Sequence, residues 1–357
     1  MESIKWLEEF LIDFEGTVIT VSHDRHFLNQ VCTHIVDIDY NTLQLFIGNY
    51  DFWYEASQLI QKQKRDEKRK ADEKIAELKS FIARFSANAS KSRQATSRKK
   101  LVDKLTLEDI RPSSRRFPYV AFKPDRELGK VVLTLKGLSK SLEGTVAFKN
   151  MNFEVERGQK IAFLGDSQVI TAFLDILAGE DTAESGSVEW GVTTSQAYLP
   201  KENSSYFSTD CADLVDWLSQ YSKNKEETFV RGFLGRMLFS GEEALKKPSV
   251  LSGGEKVRCM LSRMMLSGAN VLIMDDPTNH LDLEAITALN EALVQFNECV
   301  LFSSHDHQFI QTVANRIVEF TPQGYIDRQM SLDEYLADEK VRALRHKMWG
   351  EKARFIL

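Results

Sequence analysis

Two segments of the chain share one pattern of apolar and polar positions. Residues 2–27 align without gaps with residues 284–309, at a constant offset of 282 positions. Each copy shows amphipathic helical spacing, then a β-branched run that ends in Ser-His-Asp. Because spacing at i, i+3 and i+4 indicates a helix and a short apolar run indicates a buried strand, each copy is predicted to form a helix, a turn and a strand.

The match extends beyond the aligned segments, since Asn29 and Asp51 correspond to Gln311 and Asp333. The second copy follows a long stretch of alternating strand and helix patterns, whereas the first follows Met1 alone. A lone helix and strand cannot cover each other's apolar faces. Residues 1–50 are therefore expected to be the C-terminal remnant of a first domain. A self-sufficient group of elements is the alternative.

The remaining patterns divide the chain into further regions. They are a basic helical-hairpin arm (51–116), a connector (117–129), a large α/β domain (130–321) and a tail (322–357). The arm is predicted to contain helices over 51–85 and 93–110 around a short polar tip, 86–92. Prolines at 112, 118 and 124 mark the link from the arm to the domain, because a helix cannot continue through them.

Composition favours a folded cytoplasmic protein with a polyanionic partner. The chain is 43% hydrophobic and has four cysteines without metal-ligand spacing, which indicates reduced thiols. Without an apolar run near 18 residues or a leader pattern, no membrane partner is expected. The net charge is −6, yet residues 62–104 contain 15 Lys/Arg against 6 Asp/Glu. Basic charge confined to the arm predicts contact with a polyanion there, and a solvated coiled-coil surface is the alternative.

Two motifs in the α/β domain point to nucleotide chemistry. The apolar run at 271–274 ends in Asp275 and Asp276, and a buried parallel strand that delivers carboxylates at its end is typical of magnesium-nucleotide sites. Asp275 would hold Mg²⁺ and Asp276 would orient the attacking water, although such a strand is also common as plain core. Upstream, LSGGE at 251–255 has paired glycines that let backbone N–H groups approach an anion at a helix N-terminus.

These motifs together resemble an ATP-binding cassette. LSGGE, MDDPTNHLD (274–282) and SSHDHQF (303–309) are similar to its signature, Walker B with D-loop, and switch histidine. The repeat, the arm and the stretch 95–122 resemble the ABC-F family, in its translation-throttle-like branch. The resemblance implies an α/β P-loop NTPase fold with a mixed sheet and a helical subdomain. It also implies two cassettes that face each other head to tail, with ATP and Mg²⁺ between them.

The resemblance assigns roles residue by residue. The signature residues would cap the γ-phosphate of ATP bound to a first cassette, supplied in cis or in trans: Ser252, Gly253, Gly254 and Glu255. His23 would be the switch histidine of that same site. Asp275, Asp276 and His305 would serve the second cassette's own site.

The second cassette's own phosphate loop departs from the family pattern. A phosphate loop needs GxxxxGK[ST], and residues 165–179 read GDSQVITAFLDILAG. Of the loop's nucleotide and magnesium contacts only Gly165 and Thr171 remain, and Ile170 stands where the lysine is expected. Lys201 stands where the family usually has Gln, and Asp276 replaces the customary Glu. Weak nucleotide binding and little ATPase activity of the chain alone are therefore expected.

In the ABC-F family the arm reaches tRNA on the ribosome, which assigns RNA contact to five residues of this arm: Lys91, Arg93, Arg98, Lys99 and Lys100. The expected function is translation regulation or ribosome protection. The alternatives are the ATP-binding subunit of a transporter, which the arm argues against, and a non-hydrolysing binding module. An exposed apolar surface around Trp6, Phe10 and Leu11 predicts self-association.

Overall fold

The computed structural model describes residues 2–22, 24–39, 42–85, 97–102, 115–208 and 210–350. The chain forms two compact units. Unit 1 comprises Met1–Glu9, Ile19–His26 and Arg116–Leu357, and unit 2 comprises Phe10–Val18 and Phe27–Arg115. In the described part of the chain, no helix combines the length and apolar character needed to cross a bilayer.

The N-terminal elements end in one very long helix. They are α1 (Glu2–Ile12), α2 (Arg25–Val31), β1 (His34–Asp39), β2 (Thr42–Ile47) and α3 (Tyr50–Phe85). Strands β1 and β2 pair as an antiparallel hairpin. The 36 residues of α3 confirm the helix predicted over 51–85. The predicted second helix of the arm is described only at 97–102, which is helical, and its tip lies outside the described residues.

The prediction of a strand at the end of the first repeat copy is wrong. Residues 17–22 have no regular structure, and Ile19 and Val21 are each 93% exposed. In the second copy the corresponding strand lies between two neighbours that bond its backbone and cover its side chains. In the described part of the chain no strand pairs with residues 17–22, and an apolar run needs such neighbours to stay extended. Trp6 and Phe10 of α1 are exposed as expected, and Leu11 is half-buried.

Unit 1 is built on a six-stranded mixed sheet, which confirms the predicted sheet type. The strands and first helix of unit 1 are β3 (Val131–Leu142), β4 (Thr145–Glu156), β5 (Lys160–Leu164), α4 (Ser167–Ala178), β6 (Ser185–Trp190), β7 (Gln196–Leu199), β8 (Val271–Met274), β9 (Cys299–Ser303), β10 (Arg316–Thr321) and β11 (Gly324–Arg328). The sheet order is β11-β10-β5-β9-β8-β7, parallel except for β11. A separate antiparallel sheet has the order β4-β3-β6.

Helices cover the mixed sheet on both faces. The remaining helices are α5 (Leu214–Ser219), α6 (Glu227–Arg236), α7 (Gly253–Ser267), α8 (Leu283–Gln295), α9 (His307–Val313), α10 (Leu332–Ala337) and α11 (Glu339–Trp349). Alternate residues of β5 enter different cores: Ala162 packs with α5 to α11, whereas Phe163 packs with α4 and the antiparallel sheet. Because both faces are buried, β8 and β9 are apolar at nearly every position. The C-terminal ends of the five parallel strands therefore meet at one edge.

The repeat is visible in the elements themselves. At the offset of 282 found in the sequence, α2 and β1 begin and end at the positions of α9 and β10, and α3 begins where α10 begins. Asp51 N–H donates to Asn29 Oδ1 at 2.9 Å, and Asp333 N–H donates to Gln311 Oε1 at 2.9 Å. The correspondence therefore extends from the fold to individual hydrogen bonds.

Each copy also holds an acid, an aromatic ring and an arginine together. In unit 1, buried Glu319 accepts hydrogen bonds from Tyr335 (2.6 Å), Arg345 (2.8 Å) and Trp349 (2.9 Å). In unit 2, Asp37 accepts a hydrogen bond from Trp53 Nε1 at 3.2 Å and pairs with Arg115, which also stacks on the Trp53 ring. Asp37 and Trp53 occupy the positions of Glu319 and Tyr335. The base of α3 is thereby attached to β1.

Candidate nucleotide-binding site

The loop between β5 and α4 places an acid where a phosphate would bind. Gly165 has φ 128°, and a Cβ there would stand 2.6 Å from the carbonyl oxygen of Phe320, so only glycine fits. Asp166 follows as the N-cap of α4, and its carboxylate accepts the Gln168 N–H at 2.9 Å. A helix N-terminus binds anions through its free N–H groups and its dipole. Here an internal carboxylate occupies that end.

The position expected for the phosphate-binding lysine belongs to the core. The Ile170 side chain is only 5% exposed and packs in the cluster that contains Phe173 and Phe163. Val169, which replaces a glycine of the motif, packs partly against the same cluster. The first turn of α4 therefore turns apolar side chains toward the sheet, and it offers no cation to a phosphate at position 170.

Asp275 is held at the end of β8 by two hydroxyl groups. Its side chain is 2% exposed. Thr171 Oγ1 donates to Asp275 Oδ2 at 2.5 Å, and Ser303 Oγ donates to Asp275 Oδ1 at 2.6 Å. Ser303 was not predicted as a site residue, although its position directly before the Ser304-His305-Asp306 segment at the end of β9 was a usable signal. The two predicted metal-binding residues, Thr171 and Asp275, therefore lie together.

Asp276 lies beside the one lysine that the sequence analysis placed in this site. Its backbone adopts φ 51° and its N–H donates to Ser303 Oγ at 2.9 Å. Lys201 Nζ stands 3.8 Å from Asp276 Oδ2 and donates to Ser167 Oγ at 2.7 Å. Burial raises the pKa of Asp276, while His305 and Lys201 oppose that rise. His305 itself is exposed.

A second hydrogen-bonded acid lies close to Asp275. The Tyr198 hydroxyl donates to Asp175 Oδ1 at 2.6 Å, which connects β7 to α4. Burial raises the pKa of Asp175, and the negative charge of Asp275 adds to the rise. Neither residue was predicted from the sequence, because the pairing depends on the register of β7 against α4.

The residues at this edge fit a cation better than they fit a triphosphate. Thr171 and Asp275 provide oxygen atoms of the kind that Mg²⁺ prefers. A triphosphate would instead meet the Asp166 carboxylate at the helix N-terminus and the apolar Ile170. Thr171 and Asp275 therefore match the magnesium ligands of a nucleotide site, whereas the residues at the start of α4 provide no cation for the phosphates.

The signature residues form a well-ordered helix start. Ser252 is the N-cap of α7, and its Oγ accepts the Glu255 N–H at 3.4 Å while Glu255 accepts the Ser252 N–H at 2.8 Å. Lys246 donates to Glu255 at 2.7 Å. Burial acts to raise the pKa of Glu255, but these hydrogen bonds hold that pKa below its usual value.

The two signature glycines pack against His280. A Cβ at Gly254 would lie 2.6 Å from the His280 carbonyl oxygen, and one at Gly253 would lie 3.0 Å from its ring. From the sequence, these glycines were predicted to let backbone N–H groups approach a phosphate. Close packing against the D-loop is a second reason for glycine at position 254, and at position 253 a side chain would require the His280 ring to shift.

An open cavity of about 720 Å³ lies beside the signature residues. It is lined by Asp24, Ser252, Gly253, Gly254, Glu255, Arg258, Thr278, Asn279, His280, Leu281, Asp282, Ile286, His305 and Asp306. His305 therefore faces the signature cavity and also acts on Asp276. The cavity brings the signature, the D-loop and the switch histidine of this cassette to one surface.

The remaining predicted residues are only partly described. His23, Lys91 and Arg93 lie outside the described residues. Arg98 stacks on the Phe81 ring at 3.4 Å, which brings residues 97–102 alongside α3. Lys99 and Lys100 are exposed on the same helical turn. Two of the five arm residues thus carry exposed positive side chains.

The layered mixed sheet, the carboxylate edge and the LSGGE helix start together define an ATP-binding cassette. Comparison with known proteins agrees: a family model described as ABC transporter matches residues 148–279, and a second with that description matches residues 36–122. The Uup-like ATP-binding protein of Haemophilus influenzae is 30% identical over 92% of this chain and 72% of its own length. The chain belongs to the ABC ATP-binding family, whose cassettes are P-loop NTPases that bind ATP, typically with Mg²⁺.

Two further relatives are also similar to this chain. The uncharacterised ABC transporter ATP-binding protein YkpA of Bacillus subtilis is 59% identical over 98% of this chain and 65% of its own length. ABC transporter F family member 5 of Arabidopsis thaliana is 31% identical over 89% of this chain and 46% of its own length. The chain thus spans somewhat less than two thirds of the first of these relatives.

Proposed function

We propose that this chain is part of an ABC-F-type protein that acts on the ribosome, in translation regulation or ribosome protection. Relatives named as F family members support the assignment to that branch. The long helix α3, with a helical segment at 97–102 that contacts it through Arg98 and Phe81, supports it independently, as do the exposed Lys99 and Lys100. The activity of a whole protein of this kind depends on both cassettes.

One contrast within unit 1 supports our proposal about which residues bind ATP. The N-terminus of α4 is capped by the Asp166 carboxylate and the lysine position is buried, whereas the N-terminus of α7 is capped by the Ser252 hydroxyl together with Glu255 and lies beside a cavity of about 720 Å³. We therefore assign the signature residues 252–255 to an ATP whose phosphate loop belongs to a first cassette, in cis or in trans. His23 is assigned to that same site. Asp275, Asp276 and His305 belong to the degenerate site of the second cassette.

The arm is proposed to contact ribosomal RNA or tRNA through phosphate groups. Lys99 and Lys100 are exposed, and the stacking of Arg98 on Phe81 fixes the turn that carries them. Basic side chains of this kind neutralise phosphates with little reading of sequence. Lys91 and Arg93 are assigned to the same surface by the sequence alone.

Ribosome sedimentation at several salt concentrations tests the proposal. Replacing Arg98, Lys99 and Lys100 by Ala is expected to flatten the plot of log K against log salt by about 2, because each phosphate contact contributes about 0.7–0.9 to the slope. The matched control replaces three exposed lysines of unit 1, at 130, 136 and 149, and should leave the slope unchanged. Equal slopes for wild type and the arm variant would remove the arm from the interface. Recovery of the chain with membranes in place of ribosomes would favour a transporter subunit.

Nucleotide titration of the chain alone tests the degenerate site. Binding in the millimolar range or weaker and negligible turnover are expected, since the charge-assisted contacts to the β- and γ-phosphates are missing. Addition of a separately expressed first cassette should restore binding, and Ser252→Ala should reduce the restored binding. Rapid ATP turnover by the chain alone would contradict the assignment, and failure of the added cassette to restore binding would leave a non-hydrolysing binding module.

A further inference from the structure

Lys201 connects the first turn of α4 to Asp276, which follows β8. It follows β7, which pairs in parallel with β8, so its side chain starts at the same edge as Asp275 and Asp276. Its ammonium group donates to Ser167 Oγ at 2.7 Å on the first turn of α4 and stands 3.8 Å from Asp276 Oδ2. The Lys201 side chain is 35% exposed and the Asp276 side chain 9%. The charge therefore lies at the mouth of the site rather than in bulk solvent.

Two carboxylates lie at this edge and a third lies on the adjoining helix. Asp275 and Asp276 follow β8 directly, and Asp175 of α4 accepts a hydrogen bond from Tyr198 of β7. Carboxylates removed from water are unstable as anions unless a cation or hydrogen bonds compensate them. The hydroxyl groups of Thr171 and Ser303 donate hydrogen bonds to Asp275, and the Tyr198 hydroxyl donates one to Asp175. Asp276 has no such hydroxyl donor among its described hydrogen bonds, and its carboxylate pairs with Lys201 at 3.8 Å.

We infer that Lys201 is a built-in cation that replaces both the magnesium ion and the missing phosphate-loop lysine at the carboxylate edge of the second cassette. The ammonium group compensates Asp276 and ties it to α4 through Ser167. The same charge repels a divalent cation from the oxygen atoms of Thr171 and Asp275. This inference deepens the proposed function, since it rests on the second cassette's own site being degenerate.

Manganese binding to the full chain without nucleotide tests the inference, because Mn²⁺ substitutes for Mg²⁺ and its free form is counted by electron paramagnetic resonance. Wild type is expected to show no saturable site of one equivalent. Lys201→Gln removes the charge and shortens the side chain by one atom, and it should gain one saturable manganese site of one equivalent. Lys201→Arg should keep the exclusion. Adding Asp275→Asn to Lys201→Gln should abolish the gained site.

Lys136→Gln provides the matched control, because Lys136 also pairs with a carboxylate, Glu189 at 2.8 Å, but on the antiparallel sheet. It should bind manganese as wild type does. One tight manganese site in wild type, or no gain in Lys201→Gln, would overturn the inference. The wild-type measurement decides even if the variant does not fold. Ribosome sedimentation of wild type is scored separately, so that a failure of the inference and a failure of the proposed function give different results.

Discussion

The substitution Ile170→Lys restores the lysine that is expected in a phosphate loop. It is expected to destabilise unit 1 rather than to restore ATP binding. Ile170 is 5% exposed and packs among Phe163 and Phe173. Losing the burial of an isoleucine costs about 2 kcal/mol, and an unpaired ammonium in that position costs several kcal/mol more. The free energy of unfolding should therefore fall on the order of 5 kcal/mol. Asp166 would still occupy the helix N-terminus.

Urea denaturation followed by tryptophan fluorescence measures the loss, and titration with a fluorescent ATP analogue measures binding. Gln168→Lys is the control, because Gln168 is exposed on the same helical turn and a cation there costs about 0.3–1 kcal/mol through the helix dipole. The reasoning is refuted if Ile170→Lys unfolds at the same urea concentration as wild type and binds the analogue in the micromolar range. That result would mean that residue 170 swings out of the core without cost.

Three further predictions concern other parts of the chain. Arg345→Met leaves buried Glu319 without its cation and should lower the free energy of unfolding by about 3–5 kcal/mol in urea, and a loss below about 1 kcal/mol would contradict the role of the pair. Burial raises the pKa of Asp306, so wild type should lose stability relative to Asp306→Asn as the pH rises from about 3.9 to the higher folded value. Denaturation at pH 4 and pH 7 checks this, and an equal difference at both would contradict it. Replacing exposed Trp6 and Phe10 by Thr should weaken the predicted self-association at least about tenfold in sedimentation velocity, and unchanged association would contradict a role of this surface.

Periodicity was sufficient to predict the larger elements. The strand at 271–274, the helix after LSGGE and the arm helix over 51–85 were all found from spacing, because each is long or fully buried on a clear pattern. The internal repeat paired Asn29 and Asp51 with Gln311 and Asp333, and the elements that carry these residues correspond in the structure as well. Thr171 and Asp275, which the family resemblance assigned to a metal site, are hydrogen-bonded to each other.

The failures share a physical cause, which is that the decisive contacts are made between distant segments. Residues 17–22 have a strand sequence, but a strand forms only where neighbours pair with it. The sequence showed that Lys201 was unusual but not that its flexible side chain reaches Ser167 and Asp276. Asp166 was not singled out, because a loop acid becomes an N-cap only once the helix start is fixed at Ser167.

The long helix α3 acts as a lever with a fixed pivot. Its 36 residues span about 54 Å at 1.5 Å per residue. Since Trp53 is bonded to Asp37 and stacked under Arg115, the first turns of the helix follow any tilt of the β1–β2 hairpin. A tilt of ten degrees there would move the far end by about 9 Å. A small rotation of the β1–β2 hairpin would thus produce a much larger displacement of the far end of α3, without a hinge in the helix.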